Sequence, residues 1–380
     1  MLNSLFLVRF AAIVREIGRR RSWGLLVAGL LGTLTVTARA ADAPAAGNAT
    51  RPGVARPQLY DIPFPTGQQS RAATTLTVTY TGNPPTLPRT GAYVIKNIHV
   101  QGVYVGPSFN SSNASTVTNL EKYLQYIVGS SFMTSLAPYG VSTGTASAGK
   151  VLPVTVPHYS SSNRTYLTDT QIQNLLVANL ASLIKPGSNT LYVVYTEPGV
   201  AIDAGGGSTS INTFLGYHNY ATYKANGVTS HFAYAVMPYP GSPNPSAASQ
   251  GYASAFDELT SVTSHEIAEA ATDPDTMNGW WETVVETDTY KNSAGKVIAQ
   301  RVYQDTGEEI GDVPLILYNY SSSCFIRLNG YLIQKMIGPD GVHMLTPAGA
   351  ASVSGTPAQA AGALLQVADQ PLQQIGIQLP

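Results

Sequence analysis

His265-Glu266-Ile267-Ala268-Glu269 sets an imidazole and a carboxylate four residues apart. On an α-helix that spacing projects both side chains from one face, about one turn apart. H-E-x-x-H helices hold zinc in this way, and here Glu269 stands where their second imidazole stands. Zinc accepts carboxylate oxygen at about 2.0–2.2 Å, so the exchange is chemically allowed. Glu266 then occupies the general-base position, beside the ion and able to take a proton from its water. The competing reading is a capped amphipathic helix with a solvated acidic face and no ion.

More donors are required, because a structural zinc takes four ligands and a catalytic zinc three plus water. The compact cluster Gly307-Glu308-Glu309-Ile310-Gly311-Asp312 offers them. In zinc peptidases of the thermolysin type a downstream Glu binds the metal and a nearby Asp orients a zinc-bound His. By that pattern Glu309 (or Glu308) is the third ligand and Asp312 supports His265, completing a metal set of His265, Glu269, Glu309 and Asp312. Asp273 and Asp275 are rivals. Asp275 lies ten residues after His265, where metzincins place a third His, but Asp273-Pro274 equally fits an ordinary helix C-terminal turn.

The elements that must position these residues follow from periodicity. Phe256, Leu259, Ile267 and Ala270 form one stripe at helical spacing, so a helix is expected over 253–271, ended by Pro274. Residues 168–184 form a second helix, with Thr168 and Gln171 as a capping box and Ile172, Leu175, Leu176, Leu180 and Leu183 as its buried face. A third spans 115–136. Strands are expected over 75–80, 93–105, 191–195 and 232–237. Residues 281–305 read as a long hairpin insertion. The segment 324–336 reads as a hairpin turning on Asn329-Gly330, a pair that tolerates the positive φ of a type I′ turn. Together these give a single α/β domain, a mixed twisted sheet with packed helices, one of them the zincin-like active helix.

The first forty residues read as an export signal. Arg9, Arg15, Arg19, Arg20 and Arg21 precede a short apolar run over 23–36, and Ala38-Arg39-Ala40 supplies small residues for cleavage before Ala41. About 14 apolar residues at 1.5 Å each cannot span roughly 30 Å of hydrocarbon, so no stable membrane span is expected after cleavage. Both the general and the twin-arginine routes fit Arg20-Arg21. The chain then divides into signal 1–40, flexible leader 41–70, domain 71–345 and low-complexity tail 346–380. Six of the 21 basic and one of the 22 acidic residues lie in the signal, leaving 15 against 21. An acidic mature chain without a basic tract excludes nucleic acid as a partner. The lone Cys324 cannot form a cystine within the chain and reads as a small buried hydrophobe.

The run Thr260-Ser261-Val262-Thr263-Ser264-His265-Glu266-Ile267-Ala268-Glu269-Ala270-Ala271-Thr272-Asp273-Pro274, then Gly279-Trp280, then Glu309-Ile310-Gly311-Asp312, resembles the EXORDIUM-like (phosphate-induced protein) family. The likeness covers roughly residues 75–340, with its firm matches in the second half. Plant members carry several cysteines, one of them where this chain has Val313, so their cystine-stabilised loops are absent here. The resemblance implies secretion and a cell-wall or extracellular setting, and supplies no defined catalytic activity. Gly216-Tyr217-His218 is similar to a Gly-Phe/Tyr-His element of the family, which brings His218 in as a metal contact or a group polarising a substrate carbonyl. A lone His among tyrosines otherwise reads as structural.

Two functions follow. The first is a secreted or periplasmic zinc-dependent hydrolase, peptidase-like, with Glu266 and His218 as catalytic groups and an extracellular peptide or cell-wall component as substrate. The second is a non-catalytic extracellular binding protein with a structural metal. A metal-free buried network of His265, Glu269 and Asp312 is the plainest alternative.

Overall fold

The run 191–195, Leu-Tyr-Val-Val-Tyr, is apolar at every position because the strand it forms is covered on both faces. The computed structural model describes residues 75–82, 85, 94–225, 228–274, 279–291, 294–318, 321–353 and 373–378. The export segment, the leader, Asp275 and residues 354–372 lie outside them.

In chain order, β1 (Thr75–Gly82) and β2 (Asn97–Val105) precede helix α1 (Ala114–Val128), the short α2 (Ser131–Ser135) and β3 (Ser142–Leu152). Next come β4 (Leu167–Thr168), α3 (Asp169–Asn179), β5 (Thr190–Thr196), β6 (Ile202–Gly205) and β7 (Ser208–Thr209). Strands β8 (Tyr217–Ala225) and β9 (Val228–Met237) lead to α4 (Ala255–Thr272), the helix of the His-Glu motif. Beyond it lie β10 (Glu282–Lys291), β11 (Val297–Glu308), α5 (Asp312–Leu317), β12 (Phe325–Leu328), β13 (Tyr331–Gln334), β14 (Ala351–Ser352) and β15 (Gln373–Gln378).

The central sheet has the order β3-β2-β5-β9-β8, parallel throughout except for β8, which pairs antiparallel with β9 at one edge. Leu191, Val193 and Tyr195 pack into a core shared with Leu120 and Ile127 of α1 and Leu259 and Ile267 of α4. Tyr192 and Val194 point the other way, into a second core with Ile172 and Leu176 of α3. The period of two along β5 thus assigns the α4 helix and the α3 helix to opposite faces.

The fold departs from the expected single sheet. Strands β1, β10, β11 and β15 form a second sheet, β12 to β14 a third, and β4, β6 and β7 a small fourth. The expected helix over 115–136 breaks at Gly129, and Ser130 caps a new turn by accepting the Phe132 N–H at 3.1 Å. The helix from Thr168 keeps its capping box but ends at Asn179. Asn329 and Gly330 have φ of 52° and 85°, as a type I′ turn requires. Cys324 is buried, and burial pushes its thiol up to about 11, so it is inert packing. The tail contributes β14 to β12 and β15 to β11.

Helix α4 starts where the Ser254 hydroxyl accepts the Asp257 N–H at 3.1 Å, and every residue from Asp257 to Thr272 is buried. Small residues at Ser261, Ser264, Ala268 and Ala271 let neighbouring elements approach closely. Ser264 and Thr272 return their hydroxyls to helix carbonyls, so these buried hydroxyls are satisfied. Glu258 is not: its Oε2 has no partner, and burial pushes its carboxyl up to about 8. The folded chain therefore holds a proton there that the unfolded chain has released, and stability falls as pH rises between about 4.5 and 8. Glu258→Gln flattens that slope and stabilises at pH 8 by roughly 1–4 kcal/mol, as melting curves of both proteins from pH 4 to 9 (about that range) will show.

Candidate metal centre

Strand register and helix phase bring two imidazoles to one place. Tyr217 opens β8 and donates its phenol to Asp169 Oδ1 at 2.7 Å, on the α3 face of the sheet. Tyr234 of β9 donates to the same oxygen. This pins the register of β8 and turns the next residue, His218, to the opposite face, against α4; a slip of one residue would reverse it. Gly216 lets α4 come close, since a Cβ there would lie 2.5 Å from Val262 Cγ1 and 3.1 Å from Glu266 Oε1.

His265 Nε2 lies 3.1 Å from Glu269 Oε2 and 3.5 Å from Asp312 Oδ1. Two donors about 2.1 Å from one ion at a tetrahedral angle stand roughly 3.4 Å apart, so these are ligand-to-ligand spacings. The other ring nitrogen, Nδ1, lies 3.1 Å from Gln334 Oε1. Gln334 Nε2 donates to the Gly311 carbonyl, so its amide oxygen is the atom left to face His265 and must accept. Nδ1 therefore carries a hydrogen, and Nε2 points at two carboxylates. That nitrogen is buried and makes no hydrogen bond. A neutral Nε2 facing two carboxylate oxygens is repulsive, so a cation, whether a proton on the ring or a metal ion, must sit between them.

A second triad, His218, Glu266 and Glu269, shares Glu269 with the first. Here each ring nitrogen already has an acceptor. His218 Nδ1 is 3.3 Å from Glu266 Oε2 and 3.6 Å from Glu269 Oε2, and Nε2 is 3.3 Å from the Asp273 carbonyl. An imidazolium satisfies this triad with a hydrogen bond at each ring nitrogen, whereas His265 Nε2 stands 3.1 Å from Glu269 without a hydrogen bond.

The titration of the cluster follows. Burial works against a charged His218, but Glu309, Glu266 and Glu269 together raise it well above its ordinary value. His265 is pushed up to about 10, burial opposing and Glu269, Glu266 and Asp312 prevailing. Burial would raise Glu269, yet the two imidazoles hold it down to about 2. Asp312 is driven well up, by burial and then by Glu269, and Glu266 is raised by burial against the pull of His218. The centre gathers protons because it is short of positive charge.

The residues singled out from the sequence divide as follows. His265, Glu269 and Asp312 meet at one point. Glu309, expected as the third ligand, instead lies 3.8 Å from His218 Nε2, while Asp312 takes the place beside His265 that Glu309 was given. The turn entering α5 explains the exchange, because Asp312 and Val313 both donate their N–H to the Glu309 carbonyl and Asp312 is thereby carried onto α4. Glu308 is buried and faces Glu282 across the β10–β11 ladder. Asp273 accepts the Gly279 N–H at 2.8 Å and serves the turn that ends α4. Gln334 escaped the sequence reading; its one signal is an inward polar residue closing an apolar strand. Gly311 fits against the centre where a Cβ would lie 2.7 Å from both Glu269 Oε1 and His265 Nδ1, and its N–H donates to Glu269 Oε1 at 3.2 Å. The carboxylate–imidazole pair is thus oriented from outside by Gly311 and Gln334, as metal ligands require.

The fold and site define a mixed α/β protein in which α4, with His218 of β8 and Asp312 of α5, builds buried His-Glu-Glu and His-Glu-Asp groups able to hold a metal ion. The chain matches no family model, no curated protein sequence and no solved structure.

Proposed function

We propose that this protein is an exported, metal-dependent hydrolase acting on peptide-like substrates, with the ion held by His265 Nε2, Glu269 and Asp312. The observation that carries the reading is the buried His265 Nε2, without a hydrogen-bond partner and 3.1 and 3.5 Å from two carboxylate oxygens. One imidazole and two carboxylates suit zinc first among the divalent ions, with manganese and iron as alternatives. When bound, such an ion polarises a carbonyl and lowers the pKa of its water. Glu266, on the same helix face, accepts the proton of the attacking water and passes it to the leaving amine. His218, charged and 3.3 Å from Glu266, stabilises the Glu266 carboxylate that accepts this proton.

A second reading, a structural metal in a non-catalytic extracellular protein, is favoured by one observation: His265, Glu269 and Asp312 are all at least 96% buried, and structural sites are closed. Against it stands the Glu266–His218 pair, which a purely structural ion has no need of. Elemental analysis of purified protein tests both readings together, since each expects about one equivalent of metal. Hydrolysis of a peptide library, lost on chelation and restored by zinc, separates the first from the second.

We propose membership of the EXORDIUM-like family on the same ground. The segments that carry the resemblance, at 216–218, 260–274, 279–280 and 309–312, surround this one centre. Export is part of the proposal, and the mature chain should begin near Ala41 by N-terminal sequencing of extracellular or periplasmic material. An intact Met1 in a membrane fraction is the opposing result. Among the described residues no helix is long and apolar enough to cross a membrane.

A further inference from the structure

A second pair of carboxylates belongs to neither His-Glu group, and among the described residues three of its four oxygens are buried without a hydrogen bond. Glu282 opens β10 and Glu308 closes β11, and the two are directly opposed in the antiparallel ladder. Opposed residues share a face of the sheet, with Cβ atoms roughly 4.5–5.5 Å apart. Glu282 is 1% exposed and Glu308 3%. Both oxygens of Glu282 and Oε2 of Glu308 are buried without a hydrogen bond. Two like charges in that position are destabilising, and one shared proton would serve two of the three unsatisfied oxygens and leave the third without a partner.

The neighbouring strand is shaped around them. At Gly82, the last residue of β1, a Cβ would lie 2.9 Å from Glu282 Oε1 and 2.2 Å from the Gly341 carbonyl oxygen. The missing side chain is what allows a carboxylate and a carbonyl from distant segments to converge. Gly82 also walls a neighbouring cavity of about 290 Å³, with Thr81, Leu317, Tyr318 and Val342. We infer that Glu282, Glu308 and the Gly341 carbonyl form a second cation site, for a hard, oxygen-seeking divalent ion of the calcium class. The donors are all oxygen, two of them from carboxylates able to bind through both atoms, and calcium completes such sets with carbonyls and water at about 2.3–2.6 Å. No imidazole or thiolate is present to favour zinc, so the two centres select different ions.

Calcium chloride titrated calorimetrically into zinc-loaded protein tests this, because zinc fills the His265 centre first. One calcium per chain is expected, with a rise in melting temperature. Glu282→Gln and Glu308→Gln, which keep side-chain size, should each weaken binding at least tenfold while zinc content stays unchanged; the retained zinc also shows that the variants fold. If both variants lose their fold, terbium bound to the wild type decides instead. Its luminescence lifetimes in H₂O and D₂O count the waters remaining on the ion, and several should have been replaced. No calcium binding by the zinc-loaded wild type, unchanged affinity in both glutamine variants, or terbium with its full hydration shell would each overturn the inference. None of these outcomes bears on the His265 centre, whose own test is its metal content.

Discussion

Glu266→Gln is expected to lower the peptide hydrolysis proposed for this protein by about 10²–10⁴-fold, the contribution of a positioned general base, while metal content and melting temperature stay at wild-type values. Glutamine keeps the size of Glu266, and its amide oxygen still accepts from His218 Nδ1, which lies 3.3 Å from the present carboxylate. What it loses is the ability to take a proton. Because Glu266 is outside the His265, Glu269 and Asp312 triad, the ion keeps its three protein ligands. The loss should fall in kcat with KM little changed, since the interaction is made in the transition state rather than on binding. Hydrolysis assays on both proteins, with metal analysis and melting curves alongside, read all three quantities. Full activity in the variant removes Glu266 from the chemistry. Hydrolysis by neither protein, with metal present in both, leaves the structural-metal reading standing.

The parts of this centre that were legible in the sequence are those set by local geometry. His265, Glu266 and Glu269 share a helix, and helical phase alone puts them on one side of it. Interior strands were legible for a similar reason: β2, β5 and β9 are apolar enough to announce burial. The edge strand β3, Ser-Thr-Gly-Thr-Ala-Ser-Ala-Gly-Lys-Val-Leu, was not, because an edge needs little apolar surface and these residues have weak strand preference. The exchange of Glu309 and Asp312 depends on the direction in which a tight turn enters α5, which three neighbouring acidic residues do not disclose. Gln334 reaches His265 across 69 residues of chain, through the packing of β13 on α4. His218 faces the centre only because Tyr217 is anchored to Asp169, a residue of another helix on the far side of the sheet. Long-range contacts of this kind leave no local pattern to read.

His265→Ala is expected to reduce bound metal from about one equivalent to none and to lower the melting temperature markedly. Two effects add. The ion contributes RT ln(1 + [L]/Kd) to stability, about 4 kcal/mol at a thousandfold excess over Kd, and that contribution disappears with its nitrogen ligand. The substitution also leaves Glu269 and Asp312 buried together with neither cation nor imidazole between them, a cost of several kcal/mol unless one takes up a proton. Chelator distinguishes the two effects. Wild-type protein should lose stability when stripped of metal, whereas the variant, already without it, should not respond. Gln334→Met provides the finer comparison, for it retains all three ligands and removes the acceptor that fixes the His265 tautomer, together with the donor to the Gly311 carbonyl. Loss of such an orienting contact weakens metal binding by about 10–100-fold. A network held together by protons alone would behave differently: the wild type would contain no metal, chelator would not move its melting temperature, and His265→Ala would show the second effect without the first. Metal analysis and melting curves with and without chelator, for the wild type and both variants, therefore decide whether the unpartnered His265 nitrogen faces a metal ion or a proton.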